Sequence, residues 1–478
     1  MSQTRSFTCS SSAIRLREVV RSLRFVALRR VAAGWTARAL ALALVSVLTL
    51  PGPAAADVVL DWNAVAEAVA PRFGGAQQQS RVQAMVQIAV HDALNTIEPR
   101  YARYTGLGLA DPDASPDAAV AAAGRDTLLA LLAPLPDSVP KQQAITTVEN
   151  AFFATVGPGP YDAATQAGLD AGAAAAAEIL ALRAGDGSDT PHLPYTLAPG
   201  PGVYQPTPSP EFPAVVTPSF AGWANVTPFA LRHGSQFEVE PGHVFDLTSE
   251  LYARQYNEVK QVGDARVRGA SPDSEESDIA RFWPGGGSNW NLTTRLIVAG
   301  RGLDRWQHAR LFALLNIAQA DALIANQTWK YTYNFWRPVT AIRWADDGNP
   351  DTVSDPVWRP FLVTPPYPDY PCALPSATGA SAEVLREFFG TDRIAFGRSF
   401  NAPPVPLPSP MSPLPAKVIE RSFTSLSEAV AEARAARVFA GIHFAEGCRA
   451  GARQGAQIAR FVVRHELRPS KHCTPRKR

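Results

Sequence analysis

Apolar side chains return every three to four positions along most of this chain, and strict alternation is rare. The run from Gln79 to Asn95 has helical spacing, with His91 inside it. A histidine on such an apolar face reads as a satisfied core side chain rather than a ligand. The Ala- and Leu-rich stretches Asp113–Leu132 and Tyr161–Arg183 read as helices, and Pro134 helps to stop the first. Helical patterning resumes over 247–260 and again from Ser274. The longest pattern runs from Asp304 to Trp336, apolar on one face through Leu311, Leu314, Leu315, Ala318, Ala322 and Ile324. Ala380–Phe389 reads as a helix closed by Gly390. Residues 426–466 return to helix with an interruption around Gly441. No strand-rich region and no fixed-period repeat stands out.

The 42 prolines modify this picture, because a helix interior excludes them. They gather in 185–215, 345–371 and 402–415, which read as long surface loops. The expected fold is therefore all-α, a helical bundle with long Pro-rich loops. It spans 57–470, with 185–215 either a boundary or an excursion over one helical domain. Gly285-Gly-Gly-Ser suggests a phosphate-cradling loop, but no Gly-Lys-Ser/Thr follows, so it reads as an ordinary loop.

Residues 1–56 read as an export signal. Eight Arg and one acidic residue, Glu18, precede the apolar run Ala39–Leu50, and small residues before Asp57 suit cleavage. The apolar run is shorter than the ~20 residues of a membrane span, so no stable span is expected in the mature chain. Arg29-Arg30 is a poor match to a twin-arginine signal. The expected location is periplasmic or extracellular. Cys372, Cys448 and Cys473 would then sit in an oxidising compartment, where a Cys448–Cys473 bridge could pin the tail. Residues 471–478 read as a basic tail. A net charge of +2 argues against nucleic-acid binding by bulk electrostatics.

Candidate chemistry begins at Lys330-Tyr-Thr-Tyr-Asn-Phe-Trp-Arg337-Pro338. Lys330 and Arg337 are seven apart, two turns of one helix, so both can project from one face, and Pro338 would end that helix. Two cations among aromatic residues suit a multiply charged oxyanion; a solvated basic face is the plain alternative. Further on, Arg437-Val-Phe-Ala-Gly441-Ile-His443 places Arg and His six apart. They converge only if Gly441 relaxes the backbone between them.

Together these segments resemble the vanadium-dependent haloperoxidases, which share their site with the type 2 phosphatidic acid phosphatases and bacterial acid phosphatases. The likeness extends to Ala309–Asn316, Tyr333–Arg343, Thr364–Pro371 and Val90–Tyr101, and looks like a secreted bacterial branch. It implies that Lys330, Arg337 and Arg437 hold the equatorial oxygens of vanadate. His443 would bond apically to the metal, or attack phosphorus in a phosphatase. Two departures stand out. Where the family has Ser-Gly-His, this chain has Cys372-Ala373-Leu374. Cys372 supplies a weaker donor than Ser, Ala373 needs a negative φ, and Leu374 cannot transfer a proton. Cys372 lacks the Cys-x5-Arg of thiol phosphatases, since position 378 is Thr, and reads as a packing thiol or weak ligand donor. The acidic residue often found four positions after the histidine is Gly447, so Glu446 is the expected substitute.

The resemblance thus implies vanadate as cofactor, with phosphate competing, and a site of Lys330, Arg337, Cys372, Ala373, Arg437 and His443. Hydrogen peroxide and halide, or a small organic molecule, would be the reactants, with activity weak or lost because of Leu374. The alternatives are phosphoester hydrolysis through His443 and a non-catalytic oxyanion-binding protein. A homo-oligomer is left open.

Overall fold

The computed structural model describes residues 57–207, 217–283 and 289–470. The export signal expected at 1–56, the Gly-rich loop at 285–288 and the basic tail lie outside the described residues. In chain order the helices are α1 Val58–Val69, α2 Ala76–Ile97, α3 Pro116–Leu132, α4 Val139–Val156, α5 Ala163–Leu182, α6 Glu250–Val262, α7 Ala265–Ala270 and α8 Glu275–Phe282. There follow α9 Asn289–Val298, α10 Arg305–Tyr333, α11 Pro338–Arg343, α12 Ala373–Phe389, α13 Leu426–Phe439 and α14 Ala445–His465. The expected all-α class holds. None of the described helices is long and apolar enough to cross a membrane.

Helix α4 escaped the periodicity reading, although Ser138 caps it and Pro140 lies in its first turn, both ordinary start signals. The two strands β1 Phe396–Ala402 and β2 Lys417–Phe423 were also unexpected. They pair antiparallel, Phe396 opposite Phe423, and the Pro-rich segment read as a loop is their connection. Both show a period-two burial pattern that a short charged sequence disguises.

Helix α10 is the axis of the fold. It packs on α2, α12 and α14. Its interior is buried on more than the one face expected, including Asn316, Gln319, Asp321, Asn326 and Gln327. Asp321 shows what such a buried polar group can do. Its carboxylate accepts the N–H groups of Phe229, Ala230 and Leu231 at 2.6, 2.8 and 3.0 Å. It thereby ties the loop after α5 to the central helix. Asp321→Ala leaves three donors, two of them fully buried, without an acceptor and should cost about 3 kcal/mol or more. A guanidinium denaturation midpoint unchanged from wild type would refute this.

Two helix pairs close on glycine. Gly168 and Gly172 of α5 lie against the Ser115 and Ala119 carbonyls, where a Cβ would come within 2.3 Å of each. Gly451 and Gly455 of α14 meet the carbonyls of Cys372 and Ser376 on α12, at 2.2 and 1.9 Å from an added Cβ. Gly379 of α12 returns the contact against the Ala452 carbonyl. Real Cβ atoms do not approach so closely, so these glycines set how near α14 comes to the start of α12. That approach builds the site.

Candidate functional site

Lys330 and Arg337 are not on one helix. Asn334 takes the left-handed conformation (φ 51°) and ends α10 after Tyr333. Asparagine tolerates that conformation better than most residues. Asn334–Trp336 are then held from two sides. Tyr204 N–H donates to the Asn334 carbonyl (2.8 Å) and Trp336 N–H to the Gly202 carbonyl (3.0 Å). Asp369 N–H donates to the Phe335 carbonyl (2.9 Å). Arg337 becomes the N-cap residue of α11, and Pro338 starts that helix rather than ending the previous one. The two cations still share a pocket, because the aromatic ring of Tyr367 lies under both, at 5.2 Å from Lys330 Nζ and 5.0 Å from Arg337 Cζ.

Each cation is anchored by main-chain carbonyls. Lys330 Nζ donates to Pro368 and Asp369, both at 2.8 Å. Three donors on an ammonium leave one uncommitted. Arg337 Nε donates to the Tyr367 carbonyl and Nη1 to the Ile442 carbonyl, each at 2.7 Å. Nη1 also lies 2.8 Å from His443 Nε2. Its Nη2 has no partner, and neither has Nε of Arg437, although both atoms are buried. Orphaned guanidinium donors inside a protein point to an acceptor that would complete them.

Gly441 performs the expected service. Its φ is +76° and an added Cβ would meet the Gly263 carbonyl at 2.3 Å. The chain therefore turns between α13, which carries Arg437 in its last turn, and His443 just before α14. An arginine never gives up its proton, so the Arg337 contact requires a lone pair on His443 Nε2. Burial, then Arg337, Lys330 and Arg437, hold the imidazole well below its ordinary value, hence neutral at pH 7.

The carboxylate beside His443 is Asp369, not Glu446. His443 Nδ1 lies 2.8 Å from Asp369 Oδ1, off the axis of an aligned hydrogen bond, so the carboxyl group packs against the neutral imidazole. Glu446 instead faces Arg449 and Arg453, at 2.6 and 3.2 Å. The reason is steric. A Cβ on Gly447 would come within 3.1 Å of Asp369 Oδ2, so the glycine leaves room for a carboxylate arriving from the 364–371 loop. Burial pushes Asp369 up to about 7 against the pull of Arg337 and Lys330. Burial, with Arg337 adding to it, pushes Lys330 down to about 7. A bound anion would act on Lys330 in the opposite direction and favour its charged form.

Helix α12 starts at Ala373, seven residues earlier than its periodicity suggested, and Cys372 is its N-cap residue. Ala373 is helical, which meets the demand for a negative φ. The first N–H groups of this helix have no intrahelical acceptor, so the Cys372-Ala373-Leu374 segment still presents a helix N-terminus. Leu374 is buried, 8% exposed, and packs in the main apolar core. Cys448 is a free buried thiol beside Cys372, and the Cys473 proposed as its partner lies outside the described residues. Burial alone would raise the Cys372 thiol, but a hydrogen bond with Cys448, then Arg437 and Lys330, keep it below its ordinary value.

Asp369, Tyr367 and Cys448 were not recognisable as site residues from sequence. The Tyr367-Pro-Asp-Tyr-Pro371 stretch was a usable signal for the first two, since so rigid a loop holds its side chains precisely where the fold puts them.

The arrangement concentrates three cations, two unpaired donors and a neutral imidazole around a small buried space. That suits a tetrahedral oxyanion, and the donor set fits vanadate or phosphate. Residues 310–471 match the family described as the VCPO second helical-bundle domain. A vanadium chloroperoxidase of Curvularia inaequalis is 32% identical over 170 residues, which is 28% of this chain and 27% of that protein. The aligned stretch thus spans about a quarter of that relative's length. A bacterial vanadium-dependent iodoperoxidase has a similar fold, with a TM-score of 0.68 at 22% identity, covering 87% of this chain and 97% of the other. A holo-type bacterial vanadium-dependent chloroperoxidase gives 0.64 at 17%, covering 83% and 94%. Residues 310–471 thus match a vanadium chloroperoxidase helical-bundle domain, and the chain as a whole has a fold similar to that of the bacterial vanadium-dependent haloperoxidases.

Proposed function

We propose that this protein binds vanadate through Lys330, Arg337, Arg437 and His443 and oxidises halide with hydrogen peroxide. One observation carries the reading: Arg337 Nη2 and Arg437 Nε are buried donors without partners, in the pocket that holds His443. Those donors and Lys330 Nζ would hold the oxygens of vanadate, and His443 would be the residue that ligates the metal. When bound, vanadate supplies the Lewis acid that activates peroxide toward halide. Asp369 orients His443 and compensates part of the positive charge. Cys372 and the first N–H groups of α12 close the side where a histidine would otherwise stand. Leu374 moves no proton, so binding is expected to exceed turnover. Phosphate competes for the same donors. The leader adds that the protein acts outside the cytoplasm.

The test is equilibrium binding of vanadate and phosphate by calorimetry, paired with vanadate-dependent oxidation of bromide and iodide. Arg437→Met should weaken vanadate binding about 10- to 100-fold, the equivalent of one or two charge-assisted hydrogen bonds. Wild-type protein that binds neither anion would end the proposal. Hydrolysis of p-nitrophenyl phosphate without halide oxidation would replace it with a phosphatase.

A further inference from the structure

Two buried thiols meet inside this pocket, and nothing in the vanadate reading uses them as a pair. Cys372 caps α12, and Cys448 lies in the first turn of α14. The Sγ atoms and a ring nitrogen of His443 all lie within 4.8 Å of one another. The main chains are locked together there. Cys372 N–H donates to the Gly447 carbonyl at 2.9 Å, and Gly451 packs against the Cys372 carbonyl. The thiols are 0% and 1% exposed, and both are reduced.

Two sulfurs and an imidazole could hold a soft metal cation. The surrounding charge opposes it, since Lys330, Arg337 and Arg437 all act on this space with Asp369 as the one carboxylate. The two sulfurs, brought together by the α12–α14 contact, suit dithiol chemistry instead.

We propose that Cys372 and Cys448 form a reactive dithiol that reduces hydroperoxide, with Cys372 attacking and Cys448 resolving. Cys372 sulfur bonds to one peroxide oxygen as the O–O bond breaks. The departing oxygen takes the thiol proton and leaves as water, and Cys372 becomes a sulfenic acid. Cys448 sulfur then attacks Cys372 sulfur. The S–O bond breaks, the S–S bond forms, and the hydroxyl leaves with the Cys448 proton as a second water. Two thiols lose two electrons and the peroxide gains them. A small dithiol reductant restores the pair by exchange. The inference shares with the proposed function only the assumption that hydrogen peroxide enters this pocket.

The experiment uses reduced, vanadate-free full-length protein without halide, so its outcome is independent of haloperoxidase activity. After addition of hydrogen peroxide, peptide mapping by mass spectrometry should find Cys372 joined to Cys448. Cys448→Ser should stop at a Cys372 sulfenic acid that dimedone captures. Cys372→Ser, folded by circular dichroism, should lose its Cys448 thiol at least ~10-fold more slowly than wild type. With dithiothreitol present, wild type should consume peroxide continuously and Cys372→Ser should not. Survival of both thiols in folded wild type under excess peroxide, or bonding of Cys448 to Cys473 instead, would overturn the proposal. Disulfide formation in a protein that oxidises no halide would uphold it while the vanadate reading fails.

Discussion

Leu374→His is expected to raise vanadate-dependent bromide oxidation by about 10²–10⁴-fold, the usual contribution of a positioned general acid–base. Position 374 lies in the first turn of α12, two residues after Cys372. A leucine there can neither give nor take a proton, whereas the anion donors are in place without it. The gain should therefore appear in kcat, with vanadate affinity nearly unchanged. The measurement is kcat and vanadate affinity for both proteins at saturating vanadate. The substitution moves a polar ring into a position that packs in the main core, so a folding check by circular dichroism accompanies it. A folded variant that binds vanadate like wild type but gains no rate would show that position 374 is not the missing proton donor.

Arg337→Lys should damage the site although it conserves charge. The guanidinium fork serves the Tyr367 and Ile442 carbonyls and His443 Nε2 at once, a geometry that a single ammonium cannot reproduce. Two buried carbonyls would lose their donor, at about 1–3 kcal/mol each. The unfolding free energy measured with guanidinium should fall by about 2–6 kcal/mol on that basis. Vanadate affinity should drop about 10- to 100-fold, and the thermal shift that vanadate confers on wild type should shrink with it. A variant with wild-type affinity would mean that Arg337 is a structural clasp alone.

Much of this was legible in order along the chain. The 3.6-residue periodicity revealed the helical class, because burying one face of a helix imprints that period whatever the partner. Gly390 and Gly441 announced breaks that the structure keeps, at φ +69° and +76°. The candidate cations and His443 were identifiable from spacing and from the family likeness. The reasoning for Lys330 and Arg337 was nevertheless wrong in detail. One helix was expected to continue from Lys330 to Arg337, but α10 ends at Tyr333, before Asn334. The pair converges because main-chain bonds from Gly202, Tyr204 and Asp369 hold Asn334–Trp336 in place. Those partners are far away in sequence, and no local pattern reports them.

The amino-acid sequence by itself determined the helical class and marked Lys330, Arg337, Arg437 and His443 as candidates, with Cys372-Ala373-Leu374 where the resemblance implies Ser-Gly-His. Only the tertiary structure decided which carboxylate serves His443 and which thiol meets Cys372. Both outcomes follow from how closely α14 approaches the start of α12. Gly451 and Gly455 set that distance by carrying no Cβ, and Gly447 leaves the space that Asp369 fills. Sequence separation cannot predict such contacts, since they depend on the fit of two helix surfaces rather than on the residues between them.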